Sequence, residues 1–530
     1  MLSSIAAVGT FVKICRQTGG IMHKPTMLVI LDGFGHGNVG QGNAIRKANM
    51  PFWHSTCHNY RTALLKAAGA DVGLLPGTVG NSEVGHITMG AGRIILSDLV
   101  RFDQLLASEH DQQRSTLIAQ FKQLQQTHGQ LHLMGLLSNG GVHSHERHLY
   151  ELIELAKMCG ITQIFIHAFL DGRDVPPTSA AQYLQRLTTV PGVTLASVQG
   201  RFYAMDRDNN LERTGIAYKA LTGNIPVLTD SWQQVLDRSY KHGVTDEFVV
   251  PTLLNANGGI KAGDGVIFFN VRPDRARQLA ELFINPEKRL LTLAFFTTPT
   301  LFDKRFATWG KNNTILLQQT DVQQTLLDIL AAEKKEVFVV AETEKYAHVT
   351  YFFQGFHEAP FDHQKRVMIP SMKVRNYIQQ PEMSAAQITT TLIKSLRTQP
   401  ADFYLVNLAN ADMVGHSGNL PATIKACEFL DQQLALICHE VVDRLDGTVF
   451  ITGDHGKAEA MLDEQSIAIT AHTTNPVPFV AVGKQYKVKK MQEFDDETRE
   501  GLSSIAPTIL NHLGLPVPSV MEKSISSVLC

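Results

Sequence analysis

"MLVILDGFG", Met27 to Gly35, decides how the rest of the chain is read. Five apolar residues run without a break into Asp-Gly, the pattern of a short buried strand that ends in a turn. Runs of the same kind recur at "QLHLMGLLS" (130–138), "QIFIHAFLDG" (163–172), "TLASVQGR" (194–201), "GVIFFNVRPD" (265–274), "EVFVVAE" (336–342), "FYLVNLANAD" (403–412) and "GTVFITGDHG" (447–456). Helical patterns lie between them, such as "HERHLYELIELAKMCG" (145–160) and "TIKACEFLDQQLALICHEVVDRL" (423–445). Alternating strand and helix patterns predict an α/β fold with mostly parallel sheets.

The 530 residues are 44% hydrophobic and 18% charged, a globular composition long enough for two domains. The net charge of −2 gives no basis for a nucleic-acid partner. No apolar run approaches the ~20 residues of a membrane helix. Cys15, Cys57, Cys159, Cys427, Cys438 and Cys530 are scattered, with no close pair, which fits a reducing cytoplasm rather than a disulfide scaffold. The segment before Met27 carries no acidic residue and no clear cleavage site, and is expected to be a disordered extension, with Met22 or Met27 as alternative starts.

In open α/β sheets functional groups gather at the carboxyl ends of strands. Here those ends supply Asp32, Asp412 with His416, and Asp454 with His455; "AHTTNPVPF" (471–479) adds His472. Six carboxylates and imidazoles suit two divalent ions of intermediate hardness, Mn²⁺ or Zn²⁺, and two such ions can clamp a phosphoryl group. Other strand ends supply Arg173, Arg201, Arg207, Arg272 and Arg275, whose planar forks fit phosphate and carboxylate oxygens. Any one of them alone reads as a solvated surface arginine; together they fit a small, doubly anionic substrate. Asp174 beside Arg173 is a proton carrier or a hydroxyl holder, and His143 in "SNGGVHSH" (138–145) a hydrogen-bond donor to a phosphate or a proton shuttle.

"VGNSEVGHITMGAGRI" (79–94) frames Ser82 with glycines at 80, 85, 90 and 92. A serine hydroxyl is a weak nucleophile until a bound cation favours its alkoxide. The glycines are expected to lend the backbone freedom around it. On this reading Ser82 attacks a phosphate ester and is transiently phosphorylated.

The motifs "VILDGFG", "GNSEVGH", "GGVHSH", "HAFLDGRDVPP", "GRFYAMDRD", "FFNVRPDRARQ", "ETEKYAHVTYFF", "DMVGHSG", "DHGKAE" and "AHTTNPVPF" follow one another from about Met27 to near Ser524. In this order they resemble the cofactor-independent (2,3-bisphosphoglycerate-independent) phosphoglycerate mutases of the alkaline phosphatase superfamily. The metal motifs alone would indicate only the superfamily. The resemblance implies an alkaline-phosphatase-like α/β domain formed by 27–97 and 319–530, with a transferase domain inserted at 98–318 and an extension at 1–26. It implies one ion at Asp412, His416 and His472, and another at Asp32, Ser82, Asp454 and His455, most readily Mn²⁺. Lys345 would contact the phosphoryl group. His143, Arg173, Asp174, Arg201, Arg207, Arg272 and Arg275 would grip the substrate. The implied enzyme is an isomerase of glycolysis; the sequence leaves the oligomeric state open, with a cytoplasmic two-domain monomer as the default expectation. It would interconvert 3-phosphoglycerate and 2-phosphoglycerate through phosphoserine, in a closed cleft and without 2,3-bisphosphoglycerate. A metal-dependent phosphatase or phosphopentomutase of the same superfamily is the alternative, and an inactive metal-stabilised binding protein a third reading. Lys457, Ala411 and Asn139 stand where the family pattern has Asn, Pro and Asp, and "LLPGTVGNSEVGH" (74–86) lacks that pattern's Asp.

Overall fold

The computed structural model describes residues 24–529 apart from 39, 229, 311, 375 and 490–497. Most of the N-terminal extension, together with Cys15 and Cys530, lies outside the described residues. The first strand begins at Thr26, one residue inside the segment assigned to the extension, and Lys24 pairs with Asp446 at 2.5 Å. The chain forms two compact units: one comprises Met1–Ile95 and Asp321–Cys530, the other Leu96–Thr320.

Among the described residues the first unit holds an eight-stranded sheet. Its order is Gln364–Ile369, Val337–Glu342, Phe403–Leu408, Thr26–Leu31, Thr448–Gly453, Val477–Val482, Arg61–Lys66, Glu500–Gly501. The first five strands are parallel, and Val477–Val482 is antiparallel to both its neighbours. Thr26–Leu31 lies near the middle, and every residue from Met27 to Leu31 is fully buried. Met27, Val29 and Leu31 enter one apolar cluster and Leu28 and Ile30 another, so side-chain alternation splits one apolar run between two helix-covered faces. The α/β reading of "MLVILDGFG" holds, and its strand delivers Asp32 to the carboxyl edge of the sheet.

The second unit holds a seven-stranded sheet among the described residues, in the order Thr252–Leu253, Val193–Gly200, Ile164–Leu170, Leu131–Leu136, Gly265–Phe268, Phe295–Thr298, Asn313–Ile315. All but the Thr252–Leu253 pairing are parallel. No described helix of either unit is long and apolar enough to cross a membrane. Cys57, Cys159, Cys427 and Cys438 are free thiols.

A row of polar side chains crosses this second sheet. Ser197 Oγ reaches His167 Nδ1 at 2.8 Å, His167 Nε2 reaches His132 Nδ1 at 3.1 Å, and His132 Nε2 reaches Asp264 Oδ2 at 3.1 Å. One assignment satisfies all three bonds: Ser197 donates to His167, His167 to His132, and His132 to the carboxylate, with both rings neutral. Burial pushes His132 below its ordinary value against the pull of Asp264, and burial with His132 pushes His167 far below. Unfolded histidines take up protons below about pH 6.5, whereas these two resist protonation when folded. Their contribution is therefore intact above that pH and is lost as the pH falls. The loss is at most about 1.4 kcal/mol per pH unit for each ring. Urea unfolding of the Leu96–Thr320 unit between pH 7.5 and 5.5 should show this decline, and His167→Asn should flatten it. An equal slope in that variant would contradict the assignment.

Candidate active site

Four strand ends and one helix converge at the carboxyl edge of the first sheet. Asp32 follows Thr26–Leu31, Lys345 follows Val337–Glu342, Asp412 lies in the Asn410–Gly415 helix after Phe403–Leu408, and Asp454 and His455 follow Thr448–Gly453. Gly33 makes the turn possible. Its φ is +72°, a Cβ there would lie 2.7 Å from the Asp412 backbone, and its N–H donates to Asp454 Oδ1 at 3.0 Å.

Ser82 opens the helix Ser82–Ala91, capped by Asn81, whose side chain accepts the Val84 N–H at 3.1 Å. A helix N-terminus favours negative charge beside it. The glycines around Ser82 serve close approach rather than the expected freedom. A Cβ on Gly80 would meet the Ala67 carbonyl at 2.2 Å, on Gly85 the Asp454 carbonyl at 2.6 Å, and on Gly90 the Phe353 carbonyl at 1.9 Å. Only Gly92, which ends the helix at φ +63°, needs the left-handed region. The helix is thus pressed onto the Asp454 strand end, and Ser82 Oγ meets Lys345 Nζ at 2.7 Å, His455 Nε2 at 3.0 Å and Asp32 Oδ1 at 3.1 Å.

Lys345 Nζ also donates to Asp32 Oδ1 at 2.6 Å and to Asp412 Oδ2 at 2.7 Å. Burial opposes its charge, but Asp32, Asp412 and Asp454 outweigh burial and raise the ammonium above its usual range. Burial would raise the two carboxylates; the Lys345 ammonium, with His455 at Asp32, instead holds both far below the usual range. Burial would likewise discharge His455, yet Asp454, Asp32 and Asp412 push it up to about 9.

Two triads have the donor chemistry for divalent ions: Asp412, His416 and His472, and Asp32, Asp454 and His455. In the first, His416 Nδ1 bonds the Thr470 carbonyl at 3.0 Å and His472 Nδ1 bonds the Gly80 carbonyl at 2.9 Å. Those carbonyls place the ring protons on Nδ1, so both Nε2 lone pairs point inward. The two Nε2 atoms lie 3.0 Å apart, each 3.2 Å from Asp412 Oδ1, a buried oxygen with no hydrogen-bond partner. Three electron-pair donors facing one another fit a cation. In the second triad Asp454 Oδ2 is the buried oxygen without a hydrogen-bond partner. All seven residues expected at the metal centre, with Lys345, lie in this one cluster.

The remaining expected residues gather within the second unit. Arg201 is buried and bonds Asp171 Oδ1 at 2.7 Å and Asp174 Oδ2 at 2.6 Å. Burial, reinforced by Asp171 and opposed by Arg201 and Arg173, raises the Asp174 carboxyl. Burial and then Arg201 lower His143 to about 3 against the pull of Asp274. It is therefore neutral at neutral pH and suited to donate a hydrogen bond rather than to act as an acid. Arg275 feels Arg207, Arg201 and Arg173. Arg173, Arg207 and Arg272 are about half exposed and pair at 3.3–3.4 Å with Glu247 or Asp274. Arg201, Arg272 and Arg275 thus lie within electrostatic reach of His143, and Arg173 and Arg207 within reach of Arg275, an arrangement suited to a small anion.

Asp171 is noticed in the sequence only as one of the groups at strand ends, with no role, and Asp274 not at all, though both hold the arginines; His86 and Asn407, which underlie Ser82, also go unnoticed. The departures from the family pattern leave the cluster's contacts in place. Lys457 is fully buried, its Nζ on the Ile469 carbonyl at 3.1 Å and Met461 Sδ at 3.4 Å, and burial lowers its pKa. Ala411 packs in the core, and Asn139 Oδ1 accepts from the Tyr183 hydroxyl at 2.6 Å.

The profile of the Metalloenzyme superfamily matches residues 24–517. A 2,3-bisphosphoglycerate-independent phosphoglycerate mutase of Clostridium perfringens (strain SM101 / Type A) is 41% identical over 511 residues, covering 94% of this chain and 98% of its own. The enzyme of that name from Thermosynechococcus vestitus is 43% identical over 508 residues, covering 94% of each chain. A crystal structure of Leishmania mexicana phosphoglycerate mutase at low cobalt concentration superposes with a TM-score of 0.70 at 28% identity, covering 96% of this chain and 98% of that one. Near-complete coverage at this identity carries the relationship across both units: the chain belongs to the 2,3-bisphosphoglycerate-independent phosphoglycerate mutases, a family of isomerases within the metalloenzyme superfamily.

Proposed function

We propose that the protein interconverts 3-phosphoglycerate and 2-phosphoglycerate in glycolysis through phosphorylated Ser82. The observation that carries this reading is the position of Ser82 Oγ at a helix N-terminus, within 3.1 Å of an ammonium, an imidazole and a carboxylate. In the first half-reaction the Ser82 Oγ–P bond forms as the ester P–O bond breaks, and the serine proton ends on the freed glycerate hydroxyl. In the second, the other glycerate hydroxyl takes the phosphoryl group and Ser82 regains a proton. Divalent ions, most readily Mn²⁺, when held by Asp412, His416 and His472 and by Asp32, Ser82, Asp454 and His455, would offset phosphoryl charge and lower the pKa of the serine hydroxyl. Lys345 adds a fixed positive charge against the phosphoryl oxygens. Arg173, Arg201, Arg207, Arg272 and Arg275 hold the anionic glycerate, His143 donates a hydrogen bond to it, and Asp174 holds or carries its hydroxyl proton. Water must be kept from phosphoserine, since hydrolysis would turn the mutase into a phosphatase.

The test is conversion of 3-phosphoglycerate, with Mn²⁺ and enolase as coupling enzyme, with and without added 2,3-bisphosphoglycerate. Equal turnover in both is expected; dependence on the bisphosphate, or no turnover, would contradict the reading. Arg272→Ala separates the mutase from a superfamily phosphatase. Loss of a charged hydrogen bond to substrate should lower kcat/KM about 10- to 100-fold. A native reaction insensitive to this change would favour the phosphatase.

A further inference from the structure

We infer that Asn407 and His86 form a positioning pair that orients Asp32 and Ser82 from beneath. The inference rests on the reading of Ser82 as phosphoryl acceptor. Asn407 sits in the Phe403–Leu408 strand beside Thr26–Leu31, paired in register with Ile30. An amide between Val406 and Leu408, fully buried, is costly unless its donors are used.

Both donors are used. Asn407 Nδ2 lies 2.8 Å from Asp32 Oδ2 and 3.0 Å from His86 Nε2. A carboxylate only accepts, so the amide nitrogen, not its oxygen, must face Asp32. The second N–H then makes His86 Nε2 an acceptor and leaves the ring proton on Nδ1. That nitrogen lies 2.8 Å from the Ser82 carbonyl and 3.3 Å from Asp454 Oδ2. One amide therefore fixes two orientations. With Oδ2 of Asp32 tied to Asn407, Oδ1 is turned toward Ser82 Oγ at 3.1 Å and Lys345 Nζ at 2.6 Å. With its tautomer fixed, His86, one turn beyond Ser82 in the same helix, links the serine's own backbone to the Asp454 strand end.

The pair's hydrogen bonds end on Asp32 and a backbone carbonyl, with Asp454 Oδ2 only nearby, so the pair acts through the reacting group rather than on substrate. Removing it should let Ser82 and Asp32 turn out of alignment and so slow phosphoryl transfer without weakening substrate binding. Loss of such supporting contacts typically costs about 10- to 100-fold.

The experiment uses the full chain with Mn²⁺ and 3-phosphoglycerate and compares Asn407→Leu, His86→Leu and His86→Asn. The first two should lower kcat about 10- to 100-fold with KM within about twofold. Phosphoenzyme formation in rapid-quench measurements should slow by the same factor. His86→Asn, which keeps a donor toward the Ser82 carbonyl, should recover part of the loss. The Asn407→Leu/His86→Leu double variant should be no slower than the slower single one. A purely structural role would lower the melting temperature yet leave kcat of the folded enzyme unchanged. Folded single variants with kcat within twofold of the wild type, or with KM raised at unchanged kcat, would overturn the inference. Absence of mutase turnover in the wild type would overturn the underlying reading instead.

Discussion

Replacing Ser82 with alanine should abolish mutase turnover while leaving the chain folded. The variant removes an oxygen that sits within hydrogen-bond reach of Lys345, His455 and Asp32 together. Losing a nucleophile from a site that otherwise stays intact costs about 10⁴-fold or more in kcat. The structural cost is small by comparison. Lys345 keeps its bonds to Asp32 and Asp412, the Asn81 cap is untouched, and alanine is a good helix former. Stability should fall by about 1 kcal/mol, the net value of one hydrogen bond. Coupled assay and thermal unfolding of the same preparation check both halves. Turnover within about tenfold of wild type would remove Ser82 from the role of nucleophile.

The second large effect is expected at Lys345. Its ammonium is buried and lies between Asp32 and Asp412 at 2.6 and 2.7 Å. Lys345→Met keeps the apolar stem and removes the charge. It leaves buried carboxylates without their cation, and breaking a buried ion pair from one side costs about 3–5 kcal/mol. Activity should fall about 10²- to 10³-fold as well, the scale seen when one donor to a developing oxyanion is lost. Urea unfolding in chelator reads the first effect and the coupled assay the second. Added Mn²⁺ should restore stability in part but not activity, since cations at the two triads offset carboxylate charge without replacing the ammonium beside Ser82. Full activity in Lys345→Met would assign this lysine to charge balance alone.

How much of this was legible in the sequence depends on the kind of signal. Strands buried on both faces announced themselves as apolar runs, and the residues just after the runs fell at the carboxyl edge of the sheet. Asp32, Asp412 and Asp454 were readable for that reason. Gln364–Ile369 and Arg61–Lys66 were not, because partly exposed strands carry charged residues that break the apolar pattern. Val477–Val482 was hidden by Pro478 and by its antiparallel direction in a parallel neighbourhood. The polar row of His132, His167 and Ser197 was overlooked because each residue is a single polar interruption in an apolar run. Only the register that stacks Met134 on His167 and His167 on Ser197 makes them one network. Asn407 and His86 were missed for the same reason, since a strand and a helix far apart in the chain bring them together. The glycines near Ser82 were rightly singled out but wrongly explained: at 80, 85 and 90 they remove a Cβ from a tight contact rather than loosen the backbone.

The central claim is that the migrating group rests on Ser82. It is tested most directly by mixing the enzyme with 3-phosphoglycerate carrying a labelled phosphoryl group, quenching during turnover, and mapping the label on the digested protein. Label is expected on the peptide containing Ser82, and the 2-phosphoglycerate formed should keep its full specific activity when unlabelled phosphate is present in the medium. Labelled product from an enzyme whose Ser82 peptide carries no label, or product diluted by phosphate from solution, would contradict the account.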